Sequence, residues 1–115
     1  MTETVESGGA IIAGYRWSVR LELDADAFPE GVAITGHVRR RVEDEAVLAA
    51  ISTANGGVVR VNSRTIDLVI TGTISRNWSA GEVVLDLVRT DTDPDSYLGF
   101  RLTVPVIRPV TRGLT

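Results

Sequence analysis

Apolar and polar side chains alternate in several short stretches of this chain, with a period of two. The strictest run puts Tyr15, Trp17, Val19, Leu21 and Leu23 on one side and Arg16, Ser18, Arg20 and Glu22 on the other. Such spacing builds a pleated strand with one buried and one wetted face. Turn residues with Pro29 interrupt it between Asp24 and Gly31. A second strand is predicted from Val32 to Val42, with Ile34, Gly36, Val38 and Val42 together and His37, Arg39 and Arg41 opposite. Strict counting sends Arg40 to the apolar side. Either its stem covers core near the strand end, or a bulge resets the alternation.

Residues 46–52, Ala-Val-Leu-Ala-Ala-Ile-Ser, admit two readings. Glu43-Asp44-Glu45 before an Ala/Leu-rich run suits the start of a helix. Asn55-Gly56-Gly57 after it, followed by Val58–Val61, is a strong turn marker beside apolar alternation. The run is short, and the strand reading is preferred. Two further strands, Thr65–Ile74 and Glu82–Arg89, flank a corner at Trp78-Ser79-Ala80-Gly81. The last strand runs from Leu98 to Val106, where Phe100, Leu102, Val104 and Val106 alternate with Arg101 and Thr103. Pro105 and Pro109 suit an edge or an exit, because a central ladder position needs the N–H that proline lacks. About seven short strands at this spacing predict an all-β antiparallel sandwich. Residues 1–9 read as a flexible leader, 10–112 as one domain and 113–115 as a tail.

Composition narrows the function classes. At 115 residues the chain makes one domain able to bury its own core. Its net charge of −3 argues against a general nucleic-acid binder, which carries a basic excess. No apolar run approaches the ~18 residues that span a bilayer. The acidic, polar start is the reverse of a secretory n-region. Cysteine is absent, which removes disulfides, thiolate metal sites and cysteine nucleophiles. All 12 basic residues are arginines, so Schiff-base and P-loop chemistry are excluded as well.

Candidate chemistry is sparse. His37 is the single histidine, set on the wet face of a strand beside arginines, and reads as a surface residue. Asp91, Asp93 and Asp95 match the opening of a calcium loop, but Ser96 and Leu102 stand where it needs Gly and Glu. The segment reads instead as an acidic hairpin tip. Arg39-Arg40-Arg41 could grip phosphate, yet alternation divides them between two faces and an acidic trio follows. Tyr15 and Trp17 belong to an apolar face and are expected in the core. Trp78, beside a turn, is expected to be partly exposed. Trp78, Tyr97, Asp93 and Pro105 are the candidate partner contacts; no catalytic, cofactor-binding or metal-binding residue is assigned.

Taken in order, the motifs resemble those of a known group. Pro29-Glu-Gly-Val-Ala-Ile-Thr-Gly36, an Arg-ended strand and Leu48-Ala-Ala-Ile-Ser-Thr-Ala-Asn-Gly56 come first. Ile66-Asp-Leu-Val-Ile70, Trp78–Gly81, Leu85-Asp-Leu87 and Val110-Thr-Arg112 continue the series. The progression resembles small phage virion proteins similar to the N-terminal immunoglobulin-like domain of phage baseplate upper proteins. That resemblance implies an immunoglobulin-like sandwich, no cofactor, and a structural role in a virion tail or baseplate. It further implies assembly in the host cytoplasm, with other tail or baseplate proteins and further copies of itself as partners, and neither nucleic acid nor membrane. Lacking a long C-terminal fibre extension, the chain would be a stand-alone adaptor. Two competing expectations are a carbohydrate- or small-ligand-binding module using Trp78 and Tyr97, and an enzyme built on Asp67 and Asp86.

Overall fold

A computed structural model describes residues 3–6 and 9–111. The strands are β1 (Glu3–Glu6), β2 (Ile11–Ile12), β3 (Trp17–Leu23), β4 (Ile34–Arg39), β5 (Ala49–Ser52), β6 (Val58–Asn62), β7 (Thr65–Ile70), β8 (Gly81–Arg89) and β9 (Ser96–Ile107). One helical turn, α1 (Gly72–Ser75), lies between β7 and β8. A four-stranded sheet has the order β1-β3-β7-β6 and a five-stranded sheet the order β2-β9-β8-β4-β5. The two form a sandwich-like arrangement of curled sheets, so the all-β prediction holds.

Period-two patterning explains the layers. In β3, Trp17, Val19, Leu21 and Leu23 are buried, while Arg20 and Glu22 are exposed. Ile66, Leu68 and Ile70 of β7 and Val83, Leu85 and Leu87 of β8 complete the buried layers of the two sheets. Phe28, fully buried, adds core from the loop before β4. Burying each such side chain contributes about 1.5–3 kcal/mol relative to leaving it in water. Residues 49–52 take the strand form because Ala49 and Ile51 gain cover beside β4, where Ile51 pairs with Gly36. Packing overrides the helical propensity of the preceding residues.

Several expectations need correction. The seven expected strands correspond to β3–β9; β1 and β2 bring the described total to nine. Residues 3–6, expected in a leader outside the sandwich, pair antiparallel with β3. The remainder of that leader at residues 1, 2, 7 and 8, and the tail over 113–115, lie outside the described residues. One pairing is parallel, β2 on β9, with Ile11 opposite Val106 and Ile12 opposite Ile107. Tyr15 does not extend β3: the chain turns at Gly14 (φ 92°), leaving Tyr15 40% exposed. The strand expected over 65–74 stops at Ile70, because Gly72 sits against the Gly14 backbone and Ser75 Oγ accepts the Gly14 N–H at 3.1 Å. β4 ends at Arg39, so Arg40 escapes the ladder and donates to the carbonyls of Ser79 and, at 3.2 Å, Glu82.

Candidate functional site

The outward face of the five-stranded sheet gathers four of the polar groups that the sequence singled out, His37, Arg39, Asp86 and Tyr97. Register fixes three cross-strand rows. His37 of β4 lies opposite Asp86 of β8, which lies opposite Arg101 of β9. Arg39, Val84 and Thr103 form the next row, and Thr35, Val88 and Tyr97 a third. Neighbours in such rows stand about 4.5–5.5 Å apart at Cβ, close enough for their side chains to interact. A shallow depression of about 60 Å³ opens among His37, Arg39, Val42, Val84, Asp86 and Arg101.

Electrostatics on this face are local. An Arg39 Nη atom lies 3.3 Å from His37 Nδ1, and its other Nη donates to the carbonyls of Asp44 (3.0 Å) and Glu45 (2.7 Å). Arg39 therefore ties the loop after β4 to the face. The Tyr97 phenol is held above its ordinary pKa, first by desolvation and then by the negative charge of the nearby Asp86 carboxylate. Tyr97 is 56% exposed and Ile107, at the other end of β9, 49% exposed. A half-exposed aromatic, an aliphatic and an arginine on one sheet face make a composition of the kind found where proteins contact proteins.

The edge of β9 is only partly available. Ala13 N–H donates to Ile107 C=O at 2.9 Å, so the backbone groups of Ile107 point towards β2. Strand alternation then directs Pro105, Thr103 and Arg101 to that same side. The N–H that Pro105 lacks would have faced the open edge, so proline costs nothing in the β8 ladder and interrupts any added strand. A register break between Asp86 and Val88, with Gly99 at φ 82°, distorts the far end.

The other sequence candidates fall elsewhere. Trp78, expected to be partly exposed, is only 7% exposed: its ring belongs to the core where the chain enters β8. It is corrected from surface contact to core residue. Trp78 and Tyr97 lie near opposite ends of β8, on the order of 20 Å apart along the strand, so no aromatic groove joins them. Asp93 is exposed in the loop before β9. Asp91, by contrast, is engaged by Arg89 at 2.9 and 3.1 Å, and that guanidinium holds its carboxyl below the usual range. Asp67 pairs with Arg20 at 2.8 Å on the outer face of the four-stranded sheet, and Asp86 sits on the outer face of the other. These two carboxylates are thus separated by the whole sandwich. Among the described residues no group of three or more His, Asp or Glu is placed to hold a metal ion.

Sequence reasoning passed over Arg101, Val84 and Val88 as contributors to this face. The alternation that picked out the core also picks out its complement, but only the register shows which outward residues meet. No protein-family model matches the chain, and no curated protein matches it in sequence.

Proposed function

We propose that the chain is a non-catalytic sandwich module working through protein–protein contacts within a phage or prophage tail or baseplate. The observation that carries this reading is the outer face of the five-stranded sheet, where Tyr97, Val88, Val84, Arg101 and His37 form a broad mixed surface over a filled core. Sheet faces of this composition suit docking on a larger assembly. Strand order adds support for an immunoglobulin-like arrangement. The orders β1-β3-β7-β6 and β2-β9-β8-β4-β5 correspond to A-B-E-D and A′-G-F-C-C′ in immunoglobulin lettering. The motif series ending at Val110-Thr-Arg112 supports the tail or baseplate setting. Its place is the virion, reached from the host cytoplasm, with other tail proteins and further copies of itself as neighbours.

A photo-crosslinking amino acid at position 97, with position 59 on the other sheet as control, tests the reading during prophage induction. Adducts to tail or baseplate proteins from position 97, in purified particles, are the expected result. Particles lacking the protein altogether would overturn the proposal.

A further inference from the structure

Four strands flank the two sheets, and their edges are not equally safe. β1 carries Glu3 and Glu6, β6 carries Arg60 and a register break, and the β2–β9 edge carries Pro105 and Arg101. Charge, proline and irregularity are what keep a sheet edge from recruiting another strand. β5, Ala49-Ala50-Ile51-Ser52, has none of these. Its edge is occupied instead by one side chain. Asn55 Oδ1 accepts the Ser52 N–H at 2.9 Å, and Asn55 Nδ2 donates to the Ala50 C=O at 3.0 Å. Those are two of the outward backbone groups that an added strand would take, the Ala50 N–H and Ser52 C=O being the others. The side-chain amide stands where a peptide group would stand, with donor and acceptor in the right places. Asn55 is itself fixed, since Oδ1 also accepts the Gly57 N–H at 2.9 Å and its own N–H reaches Ser52 Oγ at 3.1 Å.

We propose that the Asn55 amide is a built-in plug on the β5 edge, and that the surface beneath it is a pairing site for a second copy of this chain. The occupant follows from self-complementarity. Around a two-fold axis at Ile51, Ser52 N–H of one copy meets Ala50 C=O of the other, and the reverse pair closes the ring. Every β5 residue is uncharged, so no like charges oppose each other across the junction. The two five-stranded sheets then become one continuous sheet. This inference is independent of the proposed virion role.

The test is sedimentation velocity over a concentration series, with circular dichroism as a check on folding. Asn55→Ala is expected to self-associate about tenfold more tightly than the unaltered chain, equivalent to ~1.4 kcal/mol. Asn55→Asp keeps the acceptor for Ser52 and Gly57, loses the donor to Ala50 and adds a negative charge near the junction. It is expected to associate more than the unaltered chain but less than Asn55→Ala, and it serves if the alanine variant fails to fold. Asn55→Ala with Ser52→Pro removes the edge N–H without touching the β4 ladder and is expected to return to the original state. Self-association unchanged in folded Asn55→Ala and Asn55→Asp would overturn the proposal. So would association that persists in the proline variant, or an opened edge that binds a foreign strand peptide but not its own copy.

Discussion

Gly36 lies in the middle of β4 where it packs tightly against β8, and alanine there should be costly despite being the smallest change available. A Cβ at this position would lie 2.6 Å from the Asp86 carbonyl oxygen, 2.6 Å from Leu87 Cδ2 and 3.3 Å from Ile51 Cγ1. The two shortest contacts fall about 0.8 Å inside ordinary van der Waals separation. Two terms favour the methyl: about 0.8 kcal/mol for burying it, and about 0.4–1 kcal/mol for a less flexible unfolded chain. Overpacking opposes them with about 1–3 kcal/mol when a side chain must yield. Here a backbone carbonyl must yield too, and it is tied into the sheet. The cost then lies at the upper end of that range, about 3 kcal/mol, against a gain of about 1.5 kcal/mol. A net loss of about 1.5 kcal/mol is therefore expected, which lowers the melting temperature by roughly 7 °C in a domain of this size. Urea unfolding at neutral pH measures it. The Leu87→Ala background separates the two obstacles, since that truncation removes Cδ2 and leaves the carbonyl. A coupling of about 1 kcal/mol between the two substitutions is expected, with the remainder persisting. Should Gly36→Ala unfold within 0.5 kcal/mol of the parent, roughly the scatter of neutral substitutions, the close approach of β4 and β8 is wrong.

Both tryptophans are at most 7% exposed, so their emission should be blue-shifted and protected from acrylamide until the protein unfolds; strong quenching of the native protein would place Trp78 at the surface. The Arg20 guanidinium holds the Asp67 carboxyl below its usual range. A depressed folded-state pKa means that the pair stabilises fully above the ordinary carboxylate range and loses its effect as pH falls through the lowered value. Because both groups are partly solvated, the contribution is at most about 1 kcal/mol. Asp67 should titrate lower in the parent than in Arg20→Ala by NMR, and identical titration would dismiss the pair.

How much of this could be read in advance depends on the range of the forces involved. The core of β3, β7 and β8 was legible because alternation is local and each buried position declares itself. Residues 46–52 were harder, since acids followed by Ala and Leu favour a helix locally and only the fit of Ile51 beside Gly36 makes the strand. Tyr15 and residues 71–74 were misassigned for one reason: the meeting of Gly14 with Gly72 and Ser75 joins segments about 60 residues apart. β2 escaped notice because two residues have no period, and its parallel partner lies at the other end of the chain. The outward face was half legible. Its residues could be counted off, but the juxtaposition of His37, Asp86, Arg101 and Tyr97 exists only once register is set. Asn55 announced a turn, and nothing local revealed that its amide would serve as a strand.

The parallel contact of β2 with β9 sets how this molecule bears a load. Ile11 and Ile12 lie beside Val106 and Ile107, near the two ends of the described chain, with both segments running the same way. Tension applied through those ends drags the segments past each other lengthwise. Their hydrogen bonds, including Ala13 N–H to Ile107 C=O, are then strained together instead of parting one by one. The two-residue strand thus acts as a shear clamp, and a pull in this direction meets more resistance than one that peels β5 from its edge.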